Sequence, residues 1–219
     1  MASSIIPNLC FFDFTFKSPK RKSEIHIDGD LNDWPAESLV PDLMHTRGIT
    51  SFADVYFSWD EDSIYIGLNI SGKISPVDVN TTRFWEKDCT EVWLDLRSDK
   101  SLRRYNEHCH HFFLLPIGRK TSKELATAGE CREPGSTIQE SIYDHPDIEI
   151  ASVIEKNGYS IEARIPLSVI PTYDPMSYPE IGFNYHTNDT DRRTQWWSCG
   201  TDFPRHVDPS TWGTIVLAD

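Results

Sequence analysis

Short segments in which apolar and polar side chains alternate strictly constrain the fold of this chain more than any other feature. A period of two places the apolar side chains on one face of a β-strand. Segments 55–59 and 64–70 alternate in this way on either side of Asp60-Glu61-Asp62, which predicts a β-hairpin. A second hairpin is predicted where segments 150–155 and 159–165 flank Lys156-Asn157-Gly158, because Asn-Gly is the strongest short hairpin signal.

The same alternation recurs in segments 92–96, 181–187 and 214–217, whereas helical stretches are confined to 122–128 and 167–170. Without longer helices, βαβ units and a parallel sheet are not supported. Segments 97–107 and 116–146 have little periodicity and are predicted to be loops or insertions. The predicted fold class is all-β, an antiparallel two-sheet β-sandwich that is immunoglobulin-like or jelly-roll-like with little helix.

A length of 219 residues suits one domain, since all-β sandwiches often exceed 200 residues. Residues 1–22, which combine phenylalanines with a basic patch, are predicted to form an N-terminal arm or edge strand. Residues 23–219 are predicted to form the β-sandwich domain.

Charge and cysteine content exclude several kinds of partner and site. The formal net charge of −13 disfavours nucleic acid and anionic membrane surfaces, because both repel a negative protein. Five scattered cysteines argue against a disulfide framework or a zinc knuckle. The first residues lack the features of a signal peptide, which predicts a cytoplasmic protein, or a secreted or periplasmic one if the natural chain starts further upstream. The oligomeric state stays open.

Three sequence segments, in order, carry a resemblance to a known family. They are Ile27-Asp28-Gly29-Asp30-Leu31-Asn32-Asp33-Trp34, the segment 85–95 that begins Trp-Glu-Lys-Asp, and a series from Gly158-Tyr159 to Trp212-Gly213. Together they resemble family 9 carbohydrate-binding modules, which share a fold with DOMON-like sandwiches. The resemblance implies two antiparallel sheets and a small saccharide or polysaccharide end held between two tryptophans at the rim of one sheet.

The resemblance also implies which side chains form the sugar site. It carries over to Trp85 and Glu91, with either Trp196 or Trp197 as the second plate. Adjacent strand residues point to opposite faces, so one of the two tryptophans belongs to the core. Asn184 is predicted to bind sugar hydroxyls beside Glu91, since a pyranose stacks through its C–H face and hydrogen-bonds at its edge. In the alternative interpretation Glu91 is solvated and Trp85 covers the core.

No cofactor is required by this interpretation, but two segments are candidate metal sites. Asp28, Asp30 and Asp33 offer oxygen ligands for structural calcium, or else cap backbone amides in a turn. Segment 108–111, His-Cys-His-His, stands where the family would place polar and basic ligand contacts, and it lacks the second ligand pair of a zinc site. The sugar's identity therefore stays open. Trp34 and Trp212 are predicted to be buried.

Non-catalytic carbohydrate binding is thus the predicted function, with two alternatives. A glycoside hydrolase, or an accessory protein in carbohydrate catabolism, would use Glu86, Asp88, Glu91 and Asp95. However, Glu91 and Asp95 on one strand would lie about 13 Å apart at ~3.3 Å per residue, beyond the roughly 5–9.5 Å that glycosidases use. The further alternative is a DOMON-like haem domain with Met44, Met176 or histidine ligands.

Overall fold

Two β-sheets pack face to face in the computed structural model, which describes residues 14–118, 125–131, 142–201 and 203–218. The large sheet has eight strands in the order β1-β12-β10-β4-β5-β6-β7, with β11 pairing β10, and the small sheet has the order β2-β3-β9-β8. β1 pairs with β12 in parallel and the other neighbours are antiparallel. The predicted two-sheet β-sandwich is confirmed.

The bounds of the twelve strands and the short 3-10 turns are as follows. The strands are β1 Thr15–Pro19, β2 Ala53–Trp59, β3 Ser63–Ser71, β4 Cys89–Asp95, β5 Cys109–Leu115, β6 Thr127–Cys131, β7 Ile142–Asp144, β8 Glu149–Glu155, β9 Gly158–Pro166, β10 Glu180–Asp189, β11 Arg193–Trp196 and β12 Gly213–Ala218. The 3-10 turns are Leu31–Asp33, Ala36–Ser38, Met44–Arg47, Phe84–Glu86 and Pro209–Thr211.

The core lies between the sheets and is built by the alternation seen in the sequence. Val92 and Leu94 of β4 and Phe183 of β10 are fully buried against side chains of β2, β3 and β9 in one cluster. The odd-numbered residues of β4 therefore lie on the outer face of the large sheet, as predicted. Both predicted hairpins are present, with Trp59 paired to Ile64 and Glu155 paired to Gly158.

The second hairpin uses its glycine in an unexpected way. The two turn residues are Lys156 and Asn157, and Gly158 is the first residue of β9. A Cβ at position 158 would lie only 2.0 Å from the Ile70 carbonyl oxygen of β3. Gly158 is thus needed for the close approach of two strands rather than for the turn itself.

Three predictions of loop or helix were wrong. Segment 116–146, predicted to be a loop, contains β6 and β7. The last two residues of the predicted helix 122–128 belong to β6, and residues 119–124 lie outside the described residues. β6 escaped prediction because Thr-Ala-Gly-Glu-Cys has low strand propensity and is extended through its pairing with β5. Segment 167–170 forms successive tight turns rather than a helix. Segment 97–107 is a loop, as predicted.

None of the helical segments in the described ranges is long and apolar enough to cross a bilayer. β1 runs along the edge of the large sheet, and the Nε1 of Trp59 donates to the Ser18 carbonyl to hold it there. The thiol of Cys89 is buried, and burial raises its pKa well above the ordinary value. Cys10 lies outside the described residues.

Candidate functional site

The outer face of the large sheet carries a group of polar and aromatic side chains around one carboxylate. We call Glu91, Trp93, His111, His186 and Arg205 the outer-face cluster. Strand register brings the first four together: β10 pairs His186 with Glu91, and β5 pairs His111 with Trp93. Arg205 reaches the cluster from the loop before β12.

Glu91 is buried, with 5% of its surface exposed, and is held by two histidines. His111 Nε2 donates to one carboxylate oxygen at 2.9 Å, and His186 Nδ1 lies 3.5 Å from the other. Burial would raise the pKa of Glu91, but the interactions with His111 and His186 outweigh it and hold that pKa well below its ordinary value. The interpretation of Glu91 as a solvated surface residue is wrong.

The pKa values of the two histidines are shifted in opposite directions. Burial would lower the pKa of His111, but hydrogen bonding with Cys131 and Glu91 raises it above the ordinary value. Burial lowers the pKa of His186, and the influence of Glu91 does not compensate. The carboxylate of Glu91 therefore faces one imidazole whose protonated form is favoured by its surroundings and one whose protonated form is disfavoured.

Aromatic rings pack the floor of the cluster. Trp93 is fully buried and stacks on the ring of His111, with centroids 4.5 Å apart and planes 18° apart. The guanidinium of Arg205 lies 5.6 Å from the centroid of the Trp93 ring, and its Nη2 is 3.4 Å from His186 Nδ1. Arg205 is thus placed by a cation–π contact and by the imidazole beside Glu91.

Trp85 is the exposed aromatic residue near this cluster, with 40% of its surface accessible. Its ring meets Phe84 edge-on at 5.0 Å, and Phe84 stacks on Phe113 of the outer face at 4.4 Å. The Trp85 carbonyl accepts a hydrogen bond from Asn188 Nδ2 at 2.9 Å. Trp85 therefore does more than cover the core, because an accessible indole face remains above the start of β4.

The structure shows which of Trp196 and Trp197 lies on the outer face of the large sheet. Trp196 is half-buried and pairs with His186 in the sheet, and the two rings are 24° from parallel with centroids 6.3 Å apart. Trp197 points the other way into the core, where 1% of its surface is exposed and its Nε1 donates to the Pro41 carbonyl. The inclusion of Trp197 among the site residues is therefore corrected, and Trp196 is the tryptophan that lies on the outer face.

Asn184 lies on the outer face as predicted, but its amide is already bonded. Nδ2 donates to the Cys199 carbonyl at 3.0 Å, and Oδ1 accepts from the Ser198 backbone N–H at 3.1 Å. The residue is fully buried. Asn184 therefore organises the turn after β11, and the assignment of a sugar contact to it is corrected.

Sequence reasoning missed Lys73, whose buried ammonium joins two parts of the site. Its Nζ lies 2.9 Å from an Asp88 oxygen and 3.1 Å from an Asp189 oxygen, and the side chain is 1% exposed. The second Asp88 oxygen accepts from the Asp78 backbone N–H. This Lys73 clamp ties the loop that carries Trp85 to the turn between β10 and β11. Asp88 and Asp189 both lie in the segments that resemble the family. Burial of two carboxylates requires a cation nearby, and this was the sequence signal for Lys73.

The aspartates weighed as calcium ligands cap backbone amides. Asp28 accepts from Asp30 N–H at 2.9 Å, Asp30 from Asn32 N–H at 3.1 Å, and Asp33 from His26 N–H at 2.7 Å. Within the residues that the structure describes, no group of three or more His, Cys, Asp or Glu side chains is arranged to hold a metal ion. The capping alternative accounts for the sequence of this turn.

Glu162 of β9 holds the same turn against the outer face of the small sheet. Its carboxylate accepts from Trp34 Nε1 at 2.6 Å and from the backbone N–H groups of Gly29 and Asp28 at 2.6 and 3.0 Å. Burial raises the pKa of Glu162 despite these bonds. Trp34 and Trp212 are 7% and 2% exposed, which confirms that both are buried.

The other carboxylates considered for hydrolysis have structural partners. Asp95 accepts from the backbone N–H groups of Arg97 and Asp99. Glu86 binds Asn80 and Arg83, and Asp88 belongs to the Lys73 clamp. The two candidate haem-ligand methionines differ in exposure: Met44 is buried, with 1% of its surface accessible, and Met176 is exposed, with 66% accessible.

Comparison with known proteins gives one family match and several similar structures. Residues 32–219 match the family described as carbohydrate family 9 binding domain-like. A family 9 module from Caldicellulosiruptor kristjanssonii in complex with cellotriose is 18% identical, with a TM-score of 0.63 and 93% coverage of each chain. A family 9 module from the same organism in complex with glucose is 17% identical, with a TM-score of 0.58 and coverage of 92% of this chain and 95% of that one.

A protein from Bacteroides uniformis is also similar in structure, at 11% identity and a TM-score of 0.55, with 93% of this chain and 99% of that chain covered. No curated protein matches the sequence. At these identities the likeness in structure establishes the fold.

Proposed function

The chain belongs to the carbohydrate family 9 binding domain-like family, and from this membership we propose that it binds a saccharide on the outer face of the large sheet without catalysing a reaction on it. The observation that carries the proposal is a chain of contacts on the outer face: the exposed indole of Trp85 packs on Phe84, Phe84 packs on His111, and His111 binds the buried carboxylate of Glu91. An aromatic plate next to a fixed acceptor matches the C–H face and hydroxyl edge of a pyranose.

The positions of the exposed Trp85 and the half-buried Trp196 support a stacked sugar. Trp196 pairs with His186, and the Trp85 carbonyl is held by Asn188. His186 and Asn188 are two residues apart on β10, about 7 Å at the usual rise of a strand. We propose that Trp85 and Trp196 stack on the ligand and that Glu91 accepts its hydroxyl hydrogens.

We propose a small saccharide or the end of a polysaccharide chain as the ligand, with glucose and cellotriose as the first candidates, since family 9 modules of similar fold were solved with them. A ligand of this size gives a dissociation constant in the range of roughly 1 μM to 1 mM after ordering costs. No cofactor enters the proposal.

The first test is isothermal titration calorimetry with glucose, cellotriose and their reduced alditols. Trp85→Ala should weaken binding roughly tenfold or more, because the stacking plate is lost. Tyr178→Ala is the matched control, since Tyr178 is similarly exposed at 42% but packs against Arg97 on a different loop. Rejection of the alditols would indicate recognition of a chain end. Equal binding by the wild type and Trp85→Ala would contradict the proposed site.

A further inference from the structure

Several buried hydrogen-bond donors around Trp93 have no acceptor. Trp93 Nε1, the Tyr105 hydroxyl and Arg205 Nε are each shielded from solvent and have no hydrogen-bond partner in the described part of the chain. Tyr105 packs against the cluster that contains Trp93, and Arg205 lies over the Trp93 ring. Indole and guanidinium N–H groups only donate, so Trp93 Nε1 and Arg205 Nε each lack an acceptor among the described residues.

Arg205 lacks the carboxylate partner that three other half-buried arginines have, since Arg21 pairs with Asp60, Arg164 with Glu149, and Arg192 with Asp189. Arg97 has no carboxylate partner either, but its guanidinium donates to the Leu96 and Thr172 carbonyls. Within the described ranges Arg205 forms no ion pair with a carboxylate, and its polar contact is with the His186 ring, at 3.4 Å from Nη2 to Nδ1. A guanidinium held in place without a carboxylate is suited to receive one from a ligand.

The nearby carboxylate of Glu91 does not fill this role. Its two oxygens face His111 and His186 rather than Arg205. Arg205 is therefore a cationic side chain of the outer-face cluster without a carboxylate partner among the described residues, on a protein whose formal net charge is −13.

We propose that the site prefers an acidic saccharide, and that Arg205 binds the carboxylate of a uronic acid residue whose ring is held by Trp85 and Trp196; this inference rests on the proposed function. The planar carboxylate at C6 of a uronic acid lies at the edge of the pyranose, where a guanidinium can meet it with two parallel hydrogen bonds. Arg205 is then the residue that sets specificity, while stacking supplies binding common to neutral and acidic sugars.

The test is calorimetric titration of the full chain with sodium glucuronate, glucose and sodium acetate at pH 7. The wild type should bind glucuronate roughly tenfold more tightly than glucose, as expected for one charge-assisted bidentate contact. Acetate should bind far more weakly than glucuronate, because it offers no ring to stack. Arg205→Gln should bring the glucuronate-to-glucose ratio close to one, and Arg205→Lys should give an intermediate ratio.

Arg104→Gln is the matched control, because it removes the same charge from an exposed arginine in the neighbouring loop. It should keep the wild-type ratio. Thermal unfolding by circular dichroism checks that each variant is folded. Equal affinity of the wild type for glucose and glucuronate, or a preference that survives Arg205→Gln, would overturn the inference and leave the proposed function standing. Acetate binding as tight as glucuronate would overturn it too, since the site would then be a simple anion site. Failure to bind any of the sugars would overturn both.

Discussion

Glu91 and Glu162 are both buried glutamates that point outward from the sandwich, one on each sheet, yet their surroundings differ. Glu162 accepts from two backbone amides and one indole, which are neutral donors with fixed protons. Glu91 faces two imidazoles, which gain and lose protons near neutral pH. Burial accordingly raises the pKa of Glu162, whereas the histidines hold the pKa of Glu91 down. The small sheet uses its carboxylate to complete a turn, and the large sheet keeps one charged beside an open aromatic surface.

The sharpest test of this contrast is Glu162→Ala, which removes the shared acceptor of two buried donors and one part-buried donor. The change should lower the free energy of unfolding by about 4 kcal/mol, because each unpaired buried donor is costly. Urea denaturation measures the loss, and Glu162→Gln, which keeps one acceptor oxygen, should lose about half as much. The folded fraction should still bind sugar with wild-type affinity. A stability loss under about 1 kcal/mol would contradict the role of Glu162 as an anchor.

Glu91→Gln should have a smaller effect on stability and a larger one on binding. Loss of the charge-assisted bond to His111 should reduce the free energy of unfolding by about 2 kcal/mol. Saccharide affinity should fall roughly tenfold, because a fixed acceptor is replaced by a partial donor. Urea denaturation and calorimetry on the same preparation separate the two effects. A variant that loses stability but keeps full affinity would place the ligand elsewhere.

The pH dependence of stability should distinguish the two glutamates by sign. The pKa of Glu91 is lowered in the folded state, so its stabilising contribution is complete above the ordinary value of 4.5 and declines as the pH falls below 4.5 toward the folded-state pKa. The stability penalty of Glu91→Gln should therefore shrink by about 1 kcal/mol between pH 7 and pH 4. The pKa of Glu162 is raised, so its charged form is disfavoured and the Glu162→Gln penalty should not shrink over this range. Urea denaturation at both pH values measures the difference, and parallel changes in the two variants would remove the contrast.

The contribution of His111 to stability should depend on pH in the opposite direction to that of Glu91. Its pKa is raised to about 9, so the contribution is complete below the ordinary value of 6.5 and is lost as the pH rises through the folded-state value. Together with Glu91, this places the pair's strongest contribution between about pH 4.5 and 6.5.

Periodicity predicted which face of the sheet each strand side chain occupies, but it did not predict which residues of other strands contact it. The alternation in 92–96 placed Glu91 on the outer face, and the adjacency of Trp196 and Trp197 indicated that one belonged to the core. The partners of Glu91 come from β5 and β10, about 20 and 95 residues away in the chain. His111 was weighed as a zinc ligand, because a sequence shows spacing within a strand but not the register between strands.

Residues that fix loops were harder still to predict. Lys73 lies in a segment with no periodicity, and nothing local distinguishes it from an exposed lysine. Its burial follows from Asp88 and Asp189, which the fold brings together from different strands. β5, β6 and β7 were missed or treated as loop for a related reason, since pairing with neighbours extends segments whose own composition is neutral.

The Lys73 clamp has a consequence for how fast and how tightly a ligand is captured. Because three buried charges fix the loop beneath Trp85, the conformational entropy of that loop is lost when the chain folds and not when a ligand arrives. The free and occupied forms should therefore share one loop conformation, and association should be limited by encounter rather than by rearrangement.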